Sequence, residues 1–176
     1  QQLQALPKAR EHLRAASTTL GEQLRALDRE IAALARREPA AARLQKVPGI
    51  GPVSAAALII RLKTSSFSSY DQFVAYAGLD LRVCESGQRR GRRVLSHHGD
   101  AELRRLLYLC AQASLRTKGS PFALQYQRER AKGLASTQAL CAVARKLAKV
   151  AWALVRSGAD YDPNRVYLIL VLLQLD

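Results

Sequence analysis

The chain has 176 residues, enough for one domain or a compact domain with an extension, and enough to bury a real core. Apolar residues make up 48% of it, which excludes a disordered tail. Twenty-eight Lys and Arg face fourteen Asp and Glu, so the net charge is +14 and the expected partner is a polyanion, nucleic acid before an acidic membrane.

Residues 1–38 read as one long helix. Leu3, Leu6, Leu13, Leu20, Leu24, Leu27, Ile31 and Leu34 follow alternating three- and four-residue steps, with Arg10 and Ser17 filling the remaining seam positions. Such a helix spans roughly 50 Å at about 1.5 Å per residue. Its narrow apolar stripe needs a cover, either an intramolecular partner helix or a second subunit in a coiled coil. Pro7 and Gly21 weaken the seam locally. Glu38-Pro39 is expected to end the helix, because the residue before Pro disfavours the α region. A short helix over 40–46, a tight turn over 47–52 and a very apolar helix over 53–62 follow. A serine-rich connection leads to a helix over 70–77 stopped by Gly78. Residues 79–99 look irregular or β-like. Leu81, Val83, Val94 and Leu95 flank a basic tip, which suggests a hairpin. Asp100 suits the N-cap of a helix running to about Lys118, and Ser120-Pro121 opens another that ends near Lys132-Gly133. The last helix runs from about Ser136 to Ser157 with Gly158 beyond it; its stripe is Leu140, Val143, Leu147, Val150, Ala151 and Leu154. The apolar tail fits a strand or a buried helix equally well, and its longest run, Val166 to Leu173, is too short to cross a bilayer. With no Met and a start at Gln1, the chain reads as part of a longer product.

Three motifs carry chemistry. Leu44-Gln45-Lys46-Val47-Pro48-Gly49-Ile50-Gly51-Pro52-Val53 resembles a helix-hairpin-helix. Gly49 and Gly51 allow a sharp turn with no side chain above it. The N–H groups opening the second helix can then face a phosphate, and Lys46 and Arg61 add charge. The same sequence also fits an ordinary turn used for packing. Second, Arg82, Arg89, Arg90, Arg92 and Arg93 fall within twelve residues, and Arg104 and Arg105 extend the cluster onto the next helix. Guanidinium forks match phosphate oxygens. Third, Ser86-Gly87 lies inside that cluster. A hydroxyl attacks phosphorus only when its proton is removed and the developing charge neutralised; the arginines supply charge, but no base is adjacent in sequence. Taken alone, Ser-Gly is a turn dipeptide. His97 and His98 suit a polar turn before Gly99. Asp71 and Asp100 suit helix caps, and the scattered carboxylates predict no metal site. Cys84, Cys110 and Cys141 have neither metal nor disulfide spacing and fit reduced core or half-buried thiols.

The order of these pieces matters more than any one of them. A Val-Pro-Gly-Ile-Gly-Pro hairpin precedes Phe73-Val74-Ala75-Tyr76-Ala77-Gly78-Leu79, then Ser86-Gly87, then Gly99-Asp100-x-x-Leu103-Arg104-Arg105-Leu106-Leu107. This resembles the C-terminal domain of the insertion-sequence-one-ten family of transposases over about residues 44–132. Departures are Leu81 where Pro is common before Arg82, and Glu85 where Ser often precedes Ser-Gly.

The resemblance implies a serine nucleophile that becomes joined to DNA, at the position of Ser86. It implies a bridge RNA, dimers or tetramers paired through the long helix, and a bacterial, cytoplasmic, nucleoid-associated setting. It also implies a divalent metal, Mg by expectation, held by an N-terminal RuvC-like domain that these residues do not include; the chain alone should therefore bind without catalysing. The expected architecture is mainly α. It comprises a coiled-coil linker helix (1–38), a domain over 39–160 holding the helix-hairpin-helix (44–63) and the serine/arginine loop (79–99), and an apolar tail (161–176). The expected nucleic-acid contacts are Lys46, Gly49, Gly51, Arg82, Arg89, Arg90, Arg92, Arg93, Arg104 and Arg105. The competing class is a non-catalytic helix-hairpin-helix module that binds DNA or RNA and dimerises, with no membrane partner in either case.

Overall fold

The computed structural model describes residues 2–83, 93–96 and 98–166, and within them the chain is mainly α. The first helix, α1 (Gln2–Ala35), stops three residues earlier than expected. Glu38 does not end it but caps the next helix, α2 (Pro39–Gln45): its backbone is extended and its carboxylate accepts from Ala40 N at 3.5 Å. The physics that forbids α conformation before Pro is the same physics that suits Pro39 to the first helical position. Lys63 Nζ reaches Glu38 at 2.9 Å and fixes this corner to the helix that follows. That hydrogen bond holds the Glu38 carboxyl below its usual range, against a smaller opposing effect of desolvation.

Helix α3 (Pro52–Thr64) follows the turn. Ser69 then caps α4 (Tyr70–Tyr76) by accepting from Gln72 N at 3.3 Å. Asp71 is therefore not the cap; it lies in the first turn, 3.7 Å from Lys149. Two short antiparallel strands, β1 (Leu81–Val83) and β2 (Arg93–Leu95), pair Leu81 with Leu95, Arg82 with Val94 and Val83 with Arg93. Asp100 caps α5 (Ala101–Ser114) through Leu103 N, at 2.9 Å. Ser120 caps α6 (Pro121–Ala131), and α7 (Ser136–Ser157) ends on Gly158 in the left-handed conformation at φ 68°.

Helix α7 is the hub, packed against α2, α3, α4, α5 and α6. Every residue of its expected stripe is buried. Leu44 and Leu58 from α2 and α3, Phe73 from α4, Leu103 and Leu107 from α5 and Phe122 from α6 complete the core. Burial of these side chains contributes about 1.5–3 kcal/mol each relative to exposure. Lys146 is the exception on α7: it is buried, and its Nζ has no hydrogen-bond partner.

The outlier is α1. Only its C-terminal end packs, against α3, with Ala35 buried. Leu13, Leu20, Leu24, Leu27 and Leu34 are 54–70% exposed. No intramolecular helix covers this seam among the described residues. The tail beyond Val166, which is itself buried, lies outside them.

Candidate nucleic-acid interface

The turn between α2 and α3 is built around Gly49. Its φ of 88° favours glycine, and a Cβ there would overlap the Cys110 carbonyl oxygen and stand 2.7 Å from Ser114 N. One face of the turn is thus closed by the C-terminal half of α5. Gly51 has open space where a Cβ would stand, and it caps α3 with no side-chain hydrogen bond. The structure therefore divides the two glycines. Gly49 serves packing, and the edge from Gly51 into the first turn of α3 is the part that faces outward. Val53, in that turn, is exposed.

Further along, α3 and α5 run antiparallel. Ser54 hydrogen-bonds the Cys110 thiol near one end, and Arg61 Nε donates to Asp100 Oδ2 at 2.8 Å near the other. Burial pushes the Cys110 thiol up, with the Ser54 bond opposing. At Asp100, burial opposes ionisation, but the Leu103 N–H and the Arg61 guanidinium outweigh it and hold the carboxyl low. Arg61, expected only to add charge, is a tie between two helices, half-buried with its partner.

Asp100 also marks where the chain returns from the β-ribbon. Its N–H donates to Tyr76 O at 2.8 Å. Gly99, at φ 135°, is pressed so closely on Tyr76 that a Cβ would overlap the same carbonyl oxygen. At the base of the ribbon Ser96 N donates to Asp80 O at 3.0 Å, and the Ser96 hydroxyl donates to the Asp80 carboxylate. Leu79, fully buried, anchors the outgoing strand. Two rungs of hydrogen bonding thus clamp the ends of the segment that carries the serine and the arginines.

The expected site residues fall into separate groups. Ser86, Arg89, Arg90 and Arg92 lie outside the described residues. Arg82 and Arg93 stand on β1 and β2, one register position apart. Arg104 donates to Ala77 O at 3.3 Å and so helps finish α4. Arg105 is paired with Glu102 through Nε at 3.0 Å, and Lys46 with Asp160 at 2.9 Å. Both pairs are exposed, and ion pairs in water are weak enough to exchange for phosphate. The hairpin turn and the ribbon are not brought together. They sit at opposite ends of the α3–α5 pair, about 15 Å apart by the ten-residue rise from Asp100 to Cys110. Lys46 and Gly51 stand at one end of that helix pair, and Arg104 and Arg105 at the other.

Sequence reasoning missed the Asp80–Ser96 clamp, whose members are 16 residues apart. It also missed the Arg61–Asp100 tie, although opposite charges flanking a glycine-rich return were visible. No group of three His, Cys, Asp or Glu side chains able to hold a metal occurs among the described residues. No helix among them is long and apolar enough to cross a membrane.

Comparison with known proteins bears on this frame directly. Residues 41–127, from α2 through most of α6, match the model of the transposase IS116/IS110/IS902 family. The chain is 32% identical over 146 residues to the insertion element IS110 uncharacterized 43.6 kDa protein of Streptomyces coelicolor, covering 82% of this chain and 36% of that protein. It is 31% identical to the insertion element IS116 uncharacterized 44.8 kDa protein of Streptomyces clavuligerus, with coverage of 82% and 36%. To the transposase for insertion sequence element IS1328 of Yersinia enterocolitica it is 31% identical, with 81% of this chain and 44% of that protein covered. The chain thus spans less than half the length of these relatives.

Proposed function

We propose, on the premise that the chain belongs to the transposase IS116/IS110/IS902 family through residues 41–127, that it is the part of a transposase that grips nucleic acid and supplies a serine for DNA strand exchange. The observation that carries the reading is the clamped ribbon. Within the family-matched residues, Ser96 bonds to Asp80 and Gly99–Asp100 close on Tyr76, so the chain leading to Ser86 and the chain returning from it are joined at the base of the ribbon.

In this reading Ser86 is the nucleophile. Arg82, Arg89, Arg90, Arg92 and Arg93 meet phosphates of DNA or of a bridge RNA, with Arg104 and Arg105 behind them. Lys46 and the Gly51 edge of the hairpin hold backbone about 15 Å away on the helical rise. The protein works in the cytoplasm at the nucleoid, as a dimer or tetramer joined through α1. The divalent metal, Mg by expectation, belongs to a domain beyond these residues; the described carboxylates offer it no cluster, and no step here depends on it. The chain by itself should bind and not cleave.

The test is a covalent protein–DNA adduct. In the full-length protein with its RNA and DNA, Ser86→Ala should abolish adducts and recombination while changing binding by less than about 1 kcal/mol, since one neutral hydroxyl is lost among many charged contacts. Ser96→Ala should retain the adduct, though a loosened ribbon base would slow it. Adducts that persist in Ser86→Ala and map elsewhere would end the assignment. A second reading, a binding and dimerising module without a nucleophile, is supported by the uncovered heptad face of α1 and the open Gly51 edge, neither of which calls for a serine. Under that reading no adduct forms in any variant.

A further inference from the structure

We infer that the cleft between the 65–69 connection and the C-terminal half of α7 binds one unpaired nucleotide of a single-stranded DNA or RNA segment, its base against Trp152 and its phosphate against Arg156 and Lys63; this rests on the nucleic-acid reading above. The cleft has a volume of about 660 Å³ and lies where α3 ends and α7 ends. Its lining includes Phe67, Trp152, Lys63, Arg156, Ser66 and Gln72. Small-ligand sites fall in the range of about 300–1,000 Å³, and a single nucleotide fits within it.

The chemistry of the wall selects the occupant. Both rings are fixed by neighbouring aromatic rings. Trp152 meets Tyr70 with centroids 6.1 Å apart at 74°, and Phe67 meets Phe73 at 5.2 Å and Tyr76 at 5.3 Å. Fixed aromatic surfaces lose little freedom when a base stacks on them. The Gln72 side-chain oxygen accepts from Ser68 N–H at 2.9 Å, which orients the amide and leaves its NH2 as a donor for a ligand. The serine hydroxyls can donate or accept, which suits the edge of a base. Lys63 and Arg156 add two cations, and Lys63 has only the exposed Glu38 carboxylate to leave. Lys149 lies over the Tyr70 ring at 4.2 Å on the same side of α7, its charge offset by Asp71 at 3.7 Å. A paired base has both faces and its Watson–Crick edge occupied, so a duplex presents nothing to this cleft except phosphate. An unpaired nucleotide presents a face, an edge and a charge together.

Trp152 is the sole tryptophan of the chain and is therefore a reporter built into the cleft. The 176-residue chain is titrated at low salt with fluorescent decamers of thymidylate and of uridylate and with a duplex of equal length. Binding is followed by anisotropy and by Trp emission. Either decamer should quench the emission saturably, with the midpoint of its anisotropy curve, and the better of the two assigns the sugar. The duplex should bind without comparable quenching. Arg156→Gln, at an exposed position, should weaken decamer binding several-fold and leave helicity intact. Trp152→Leu should weaken it about ten-fold, the loss of one stacked base. Decamer binding with no quenching and no loss in Arg156→Gln would overturn the cleft while leaving the nucleic-acid reading in place. No binding of any of the three probes would overturn both. Emission that shifts with protein concentration alone would show a second copy of the chain filling the cleft, and the proposal falls.

Discussion

Two residues show how different physical constraints hide behind similar letters. Gly49 and Gly51 look alike in the sequence, yet one carries a positive φ and a closed face and the other neither. Gly49→Ala should cost about 2–5 kcal/mol, from backbone strain together with overpacking against α5. Gly51→Ala should cost far less, and thermal unfolding of the two variants separates them. Lys146 is the opposite case, a charge where an apolar residue would serve. Burial, and then Lys149 nearby, push its ammonium down to about 8. Because the folded value lies below the usual value near 10.5, the unfolded chain binds the extra proton between those limits, and stability should rise with pH across roughly 8 to 10.5. Below that window both states are charged and the full penalty, on the order of 3 kcal/mol, is present. Lys146→Met should raise stability at neutral pH and flatten the rise, as urea unfolding across the pH series would show.

At the scale of elements, the caps were the most legible feature. Asp100, Ser120 and Gly158 stand where their side chains or φ demand, because capping is local and its residues are few. Ser69 escaped notice because Asp71, two residues on, offered a competing acceptor. Glu38-Pro39 was misread because the dipeptide signals an end to one helix and a start to the next, and only the turn at Arg36–Arg37 decides. The ribbon was visible in its alternation and its basic tip, but the clamp beneath it was not. Register pairs residues across a gap that no local pattern measures, and Arg61 meets Asp100 across 39 positions. The cleft at Trp152 is further still from legible, since its walls come from α3, the serine connection and α7. The heptad of α1 was plain, and the structure leaves it uncovered over most of its length. Leu24→Asp with Leu27→Asp should leave a monomer in sedimentation, whereas the parent chain should self-associate. A parent that stays monomeric at high concentration would remove α1 as the subunit contact.

For the molecule as a whole, a net charge of +14 predicts binding that depends steeply on salt. Replacing Arg89, Arg90, Arg92 and Arg93 by Ala should flatten the log–log salt slope by about 2 to 3.6, at most near 0.9 per lost phosphate contact. An unchanged slope would mean these arginines face solvent in the complex. Fold class, element order and the family resemblance were all legible in the sequence. What the fold adds is arrangement: the hairpin turn packs on the Cys110–Ser114 end of α5, and Arg61 ties α3 to Asp100 at the other end.

The bare length of α1 has one more consequence. A helix that touches its own domain only at the last turn draws little stability from it, and an isolated helix of mixed sequence is marginal in water. Its order is then on loan from whatever lies against Leu13, Leu20, Leu24 and Leu27. The ellipticity of the solution becomes a gauge of assembly, rising as chains or partners gather and falling on dilution, while the packed domain behind it melts on its own schedule.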